Sequence, residues 1–372
     1  MVSNVSTVNR YSDWDVIECP RPKKIRSDRR LFIFGLGGFA KACERSLKNV
    51  GCDVHGFIVT SKITDTFNET KVFSLEEFVG KDTQVVVGVF NREHPYNAIS
   101  QALLAKECSH ILYPWDIYDA LKCDLGWRYW LSDPNFLYQN IKNLKRINSV
   151  LGDTLSRLIF LNTVKFRMGL YLEHSAFKSK EPQYFNRLTL DNLDISAVNF
   201  VDGGAFDGDT YLALTTLCNV SKAYLFEPDI ANFTKMKRNV RNVQAHKSLM
   251  PLALSNKYQV LAFSGDGEDF HMNSSSGEVK VAAAALDDVL GNVQVDLLKL
   301  DIEGGEADAL RGASTIIRES APIVMVSAYH RPEDLWVLPS LLLSISPNYK
   351  LYFRQHCYNS FDLVLYAIPV HR

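Results

Sequence analysis

The chain has 372 residues, 47% of them hydrophobic and 22% charged, with 41 Lys and Arg balanced by 42 Asp and Glu. That length predicts two or three domains with sizeable cores, and a net charge of −1 offers no basic excess for nucleic acid. Seven scattered cysteines, an odd number without a C-x-x-C pair, speak against both a disulfide framework and a zinc site.

Residues 1–29 read as a frayed polar tail, with no apolar stretch for a signal peptide or an anchor, and no later run approaches the ~18 uninterrupted apolar residues of a membrane span. The cytoplasm is the expected compartment. Residues 30–121 carry a small Rossmann-like α/β pattern. Leu31–Gly35 is an apolar strand, Gly35-Leu36-Gly37-Gly38-Phe39-Ala40 has G-x-G-x-x-A spacing before a helix, and Val54–Thr60, Val85–Phe90 and His110–Tyr113 supply further strands. A dinucleotide site wants an acid at the end of the second strand, where Val59-Thr60-Ser61-Lys62 has none. The glycines therefore read first as tight turns and helix packing, with Lys62 leaving room for a phosphate-bearing ligand.

Residues 122–190 form a helical connector. The aromatic run Trp127-Arg128-Tyr129-Trp130-Leu131 reads as core, with a sugar-stacking platform as the alternative. Ile141, Leu144, Ile147, Val150, Leu151, Leu155, Leu158 and Ile159 follow helical periodicity, broken at Gly152-Asp153-Thr154.

Residues 191–372 hold the strongest signals. Val198–Asp209 runs from an apolar strand into a glycine-rich turn and a helix start, the local geometry of a nucleotide-binding βαβ unit. About 20 residues on, a second strand ends in Glu227-Pro228-Asp229, the place where a carboxylate meets a ribose. A third ends in Lys299-Leu300-Asp301-Ile302-Glu303-Gly304. Three apolar strands each delivering an acid at the C-terminal end outline one ligand crevice on a parallel sheet.

These residues resemble class I S-adenosylmethionine-dependent methyltransferases, and within them the FkbM family. Asp202, Gly204, Ala205 and Gly208 fit D-x-G-A-x-x-G, Phe226-Glu227-Pro228 fits the second motif, and Lys299, Asp301, Glu303, Gly304 and Glu306 fit K-x-D-x-E-G-x-E. Ala284–Leu290 is similar to the family's T-L-D-D segment with Ala285 in place of threonine, Phe206 stands where many members have asparagine, and Asn273–Gly277 resembles a serine-rich insert. The resemblance covers roughly Asn199–Pro369. It implies a seven-stranded C-terminal methyltransferase sheet and S-adenosylmethionine held by Asp202, Gly203, Gly204, Ala205, Phe206, Gly208, Glu227, Pro228 and Asp301. It also implies Tyr184, in the loop after Pro182, as a ligand contact, and a sugar, glycan precursor or related small metabolite as acceptor. An N- or carboxyl-methyltransferase and a non-catalytic cofactor-binding module remain alternatives. The oligomeric state stays open.

A hydroxyl acceptor must lose a proton, so a base near the ends of adjacent strands is expected. Strand alternation puts Lys299, Asp301 and Glu303 on one side. Lys299 either pairs with a carboxylate or binds ligand, and Asp301 either faces the ligands or caps the helix after Glu306. His330, in Tyr329-His330-Arg331, and His356, after Arg354, are expected at the ends of neighbouring strands, converging on one pocket, with His330 the preferred base. Tyr329 and Arg354 are expected to touch the acceptor. No metal set is expected, because no Asp-Asn pair follows Asp301 closely.

Overall fold

Runs of branched and aromatic residues form the strands, and the turns after the strands ending at Phe34, Gly203 and Phe226 carry Gly35, Gly204 and Glu227-Pro228. The structure, a computed structural model, describes Trp14 and residues 17–121, 129–173, 178–264, 271–272 and 279–370. The chain divides into two compact units, one of Met1–Lys145, Leu158–Lys178 and Cys357–Asp362, the other of Arg146–Arg157, Ser179–His356 and Leu363–Arg372. The helices of 122–190 are thus shared out between the units and form no third body.

The first unit holds a six-stranded sheet: β1 (Arg30–Phe34), β2 (Val54–Val59), β3 (Thr66–Phe67), β4 (Thr70–Ser74), β5 (Thr83–Val87) and β6 (His110–Leu112), ordered β3-β4-β2-β1-β5-β6. All its pairings are parallel except the β3–β4 hairpin, which the sequence had not signalled. Gly35 has φ 110°, as a sharp strand-to-helix turn demands, and the helix Gly38–Asn49 begins with no side-chain cap. Lys62 pairs with Asp65 at 2.8 Å. Trp130 is fully buried against Phe90 and Phe166, with Trp115 packed on Phe166 in turn, so this part of the aromatic run is core. Trp127 and Arg128 lie outside the described residues.

The predicted break at Gly152-Asp153 is present in the second unit, between helices Ile141–Val150 and Thr154–Arg167, each of which has residues in both units. The second unit's main sheet contains β7 (Val198–Gly203), β8 (Val220–Phe226) and β9 (His246–Met250). A small side sheet follows, of β10 (Ala253–Leu254), β11 (Gln259–Ser264), β12 (His271–Met272) and β13 (Val279–Ala284). The main sheet resumes with β14 (Leu297–Leu300), β15 (Ile323–Ser327), β16 (Tyr349–Gln355) and β17 (Leu363–Pro369), giving the order β16-β17-β15-β14-β7-β8-β9. The five strands from β15 to β9 are parallel, and β17 is antiparallel to both neighbours. This is an α/β, Rossmann-like sheet with the seven strands that the resemblance implied. Phe200, Leu225, Leu297, Met325 and Tyr366 lie in its core, which fixes the strand ends as a rigid platform. Asn273–Gly277 lies outside the described residues. No helix among the described residues is long and apolar enough to cross a membrane.

Candidate functional site

Three consecutive strands in space, β14, β7 and β8, bring their C-terminal ends to one edge of the sheet. After β7 the chain turns through Gly204 (φ 74°), Phe206 (φ 48°) and Gly208 (φ 87°) before the helix Asp209–Leu217. A Cβ on Gly204 would strike the Asp301 carbonyl oxygen, so glycine is required there by contact as well as by dihedral. Phe206 adopts the left-handed conformation at φ 48°, which asparagine enters more readily than an aromatic residue. The backbone N–H groups of Gly204 and Ala205 both donate to the Phe226 carbonyl, tying the turn to the end of β8.

Glu227 stands beside that turn, 6% exposed. Its Oε2 accepts from Phe206 N at 2.8 Å and its Oε1 from Asp229 N at 2.9 Å. A carboxylate has about four acceptor positions, so two remain, as many as the two hydroxyls of a ribose can use. Burial pushes Glu227 up to about 7, against those two backbone bonds.

Asp202 and Lys299 are register partners across β7 and β14, and their side chains form a buried ion pair at 2.9 Å. Lys299 Nζ also donates to the Gly204 carbonyl at 2.6 Å. Of the two roles open to Lys299 in the sequence, the pairing one is what the geometry displays. Burial raises Asp202 to about 6 against the pull of Lys299, and Asp202 is fully buried. It supports the turn from beneath, and no surface of it is left for a ligand, contrary to the expected direct contact.

β14 ends at Leu300, so strand alternation does not carry through to Glu303, which sits in a left-handed turn at φ 56°. Asp301 does not cap the following helix: the N-cap of Glu306–Gly312 is Gly305, without a side-chain bond. Asp301 Oδ2 instead accepts from the Tyr184 hydroxyl at 2.8 Å, and the same hydroxyl lies 3.3 Å from Ser327 Oγ. Tyr329 Oη approaches Asp301 Oδ1 at 3.5 Å. Burial works against the Asp301 charge, yet His330 and Lys299 hold it below the ordinary carboxylate range.

His330 is fully buried at the end of β15, the strand next to β14 as expected. Its Nδ1 is 2.7 Å from Glu306 Oε1, and its Nε2 is 3.4 Å from Asp301 Oδ1 and 3.5 Å from Glu303 Oε2. Burial disfavours its charge, but Glu306, Glu303 and Asp301 outweigh that and raise it to about 10. An imidazole held charged by three carboxylates has no lone pair for a proton, which argues against His330 as the base. Ligand-type atoms of Asp301, Glu306 and His330 lie within 4.8 Å of one another. Glu306 Oε1 is already engaged by His330 Nδ1 and by Ile302 N, so a cation would have to break those bonds.

His356 goes elsewhere. β15 and β16 are not neighbours, because β17 lies between them. His356 Nε2 bonds the Tyr366 hydroxyl at 2.9 Å, and burial lowers its pKa to about 4. It reaches the site only at second hand, since the Tyr366 hydroxyl accepts the Tyr184 N–H at 3.0 Å. Arg354 is tied to Asp153 at 2.6 Å and to Ser156 at 2.8 Å, not to any group of the site. Glu306 and Ser327 join the site without having been singled out. Glu306 had a signal, as the last acid of K-x-D-x-E-G-x-E; Ser327 had none.

Residues 202–357 match the methyltransferase FkbM domain. A crystal structure of methyltransferase FkbM from Methylobacillus flagellatus KT is similar with a TM-score of 0.72 at 20% identity, covering 91% of this chain and 90% of that one. A putative rRNA-methylase from Clostridium thermocellum is a fainter likeness, with a TM-score of 0.33 at 12% identity over 48% of this chain and 88% of its own. No curated protein matches the chain closely enough to count as a relative.

Proposed function

We propose that this chain, whose residues 202–357 are an FkbM methyltransferase domain, methylates a hydroxyl of a sugar, a glycan precursor or a related small metabolite from S-adenosylmethionine. The observation that carries the reading is the shared edge of β14, β7 and β8, where the Gly204 turn, Glu227 and Asp301 stand at successive strand ends. The residues fit the cofactor: a side chain at Gly204 would fill the turn, and Glu227 keeps two acceptor positions beside it. Glu227 and the Phe206–Gly208 turn would hold it. When bound, S-adenosylmethionine supplies an electrophilic methyl group on a sulfonium.

The chain's own residues then act on the acceptor. Asp301, 23% exposed at its side chain and fixed by Tyr184, orients the hydroxyl and receives its proton; Glu303, 30% exposed, stands beside it. Tyr184 and Tyr329 flank Asp301 and restrict the approach. Incubating cell extract with the enzyme and S-adenosylmethionine, and searching by mass spectrometry for products heavier by one methyl, tests this. Asp301→Asn should abolish those products while cofactor binding persists. Products that are methyl esters or methylamines would refute the hydroxyl assignment.

A further inference from the structure

We propose that Glu306 is the positioning residue of this site: it holds His330 as a standing imidazolium, whose opposite edge anchors the Asp301 and Glu303 carboxylates toward the acceptor. The inference rests on the reading above only in giving Asp301 an acceptor to face.

The geometry of the ring carries it. His330 meets carboxylate oxygens on both edges, Glu306 Oε1 at 2.7 Å from Nδ1, and Asp301 Oδ1 and Glu303 Oε2 at 3.4 and 3.5 Å from Nε2. A neutral imidazole has one N–H and one lone pair. A neutral ring donating from Nδ1 to Glu306 would leave the Nε2 lone pair within 3.5 Å of two carboxylate oxygens, so the electrostatics of the two edges together favour the doubly protonated ring. Glu306 is the fixed end. It is 1% exposed, it is the first residue of the helix Glu306–Gly312, and its Oε1 also accepts from Ile302 N at 2.9 Å. One oxygen therefore joins the turn after β14 to the end of β15.

The other groups around the ring agree. Asp334, at the start of the helix Asp334–Ile345, is raised by burial and by Glu306, which disfavours a further negative charge beside the ring, and its Oδ2 is engaged by Arg331 N at 2.7 Å. Lys299 acts on Asp301 from the far side but is already paired with Asp202. Tyr329 packs its ring 4.2 Å from the imidazole. His330 is thus the cation placed among Asp301, Glu303 and Glu306. Without it, two neighbouring carboxylates at the rim would repel each other and swing apart.

The test reads the ring directly and needs no acceptor. Full-length chain labelled with ¹⁵N-histidine is titrated by NMR, with His330→Gln identifying the signal. Both ring nitrogens of His330 should stay protonated from pH 6 to 8.5, and Glu306→Gln should bring the titration down by about two units, a hundredfold in proton affinity. Incorporation of label from tritiated-methyl S-adenosylmethionine into extract should fall about tenfold or more in Glu306→Gln, with the KM for the cofactor unchanged and partial recovery in Glu306→Asp. A neutral His330 in the wild type at pH 7 overturns the proposal, and so does a Glu306→Gln chain that keeps both the charged ring and full turnover. Should Glu306→Gln not fold, the wild-type titration decides alone. Failure to bind S-adenosylmethionine would sink the function reading and leave the charge of the ring standing.

Discussion

Cofactor affinity should depend on pH through Glu227. Burial raises this carboxyl to about 7, whereas a free glutamate ionises near 4.5. Two of its acceptor positions are taken by Phe206 N and Asp229 N, and the remaining two are both open to the ribose hydroxyls only when the group is ionised. The sign follows: protonation competes with binding, so affinity rises with pH through 7 and levels off above it. With a pKa of about 7, roughly a tenth of the molecules are ionised at pH 6 and nine tenths at pH 8, which makes the expected gain about tenfold, or ~1.4 kcal/mol. Titration calorimetry with S-adenosylhomocysteine, which lacks the reactive methyl, should show this slope between pH 6 and 8. It should also show about half a proton released per binding event at pH 7 when buffers of different ionisation enthalpy are compared. Glu227→Gln keeps one oxygen for the backbone donors and removes the charge, so it should bind ~2 kcal/mol more weakly, with no slope. Glu227→Ala is the poorer probe because it strands two buried N–H groups. A flat profile in the wild type, or the same slope in Glu227→Gln, would refute the ribose role.

Gly204→Ala should abolish cofactor binding, since the added methyl meets the Asp301 carbonyl and the backbone is at φ 74°; a calorimetric affinity near wild type would count against the turn as cofactor seat. His356, lowered to about 4, contributes stability in full above its ordinary 6.5 and loses it as pH falls from there toward 4, up to about 3 kcal/mol. Urea midpoints at pH 7 and 4.5 should therefore differ more in wild type than in His356→Ala, and equal differences would contradict the buried-imidazole account. Because β2 ends without an acid and Lys62 is engaged by Asp65, the full chain should show no NADH binding by fluorescence; micromolar binding would reopen the first unit as a dinucleotide domain.

What was legible in the sequence was local. The turn after β7 announces itself because only glycine tolerates Gly204 and Gly208, and Glu227 and Asp301 are legible because parallel strands deliver their last residues to one edge. The break at Gly152 is likewise a property of adjacent residues. What was not legible depends on partners far along the chain. Nothing near His356 states that β17, which comes later in the chain, will insert between β15 and β16. Arg354 finds Asp153 201 residues away, and a pattern of charges near a strand end cannot distinguish that tie from a substrate contact.

Lys299 shows where local and distant information meet. Its presence in an apolar strand already demanded a partner, but which one depended on register, and register places it opposite Asp202. The consequence reaches beyond one ion pair. Lys299 Nζ pairs with the Asp202 carboxylate and donates to the Gly204 carbonyl, while two residues along the same segment Asp301 accepts from Tyr184 and faces His330. A buried charge pair of this kind adds little net stability against an apolar alternative, so its retention is better understood through what it orients. Here it fixes the turn proposed to seat the cofactor to the same strand end that presents Asp301, the carboxylate proposed to face the acceptor hydroxyl.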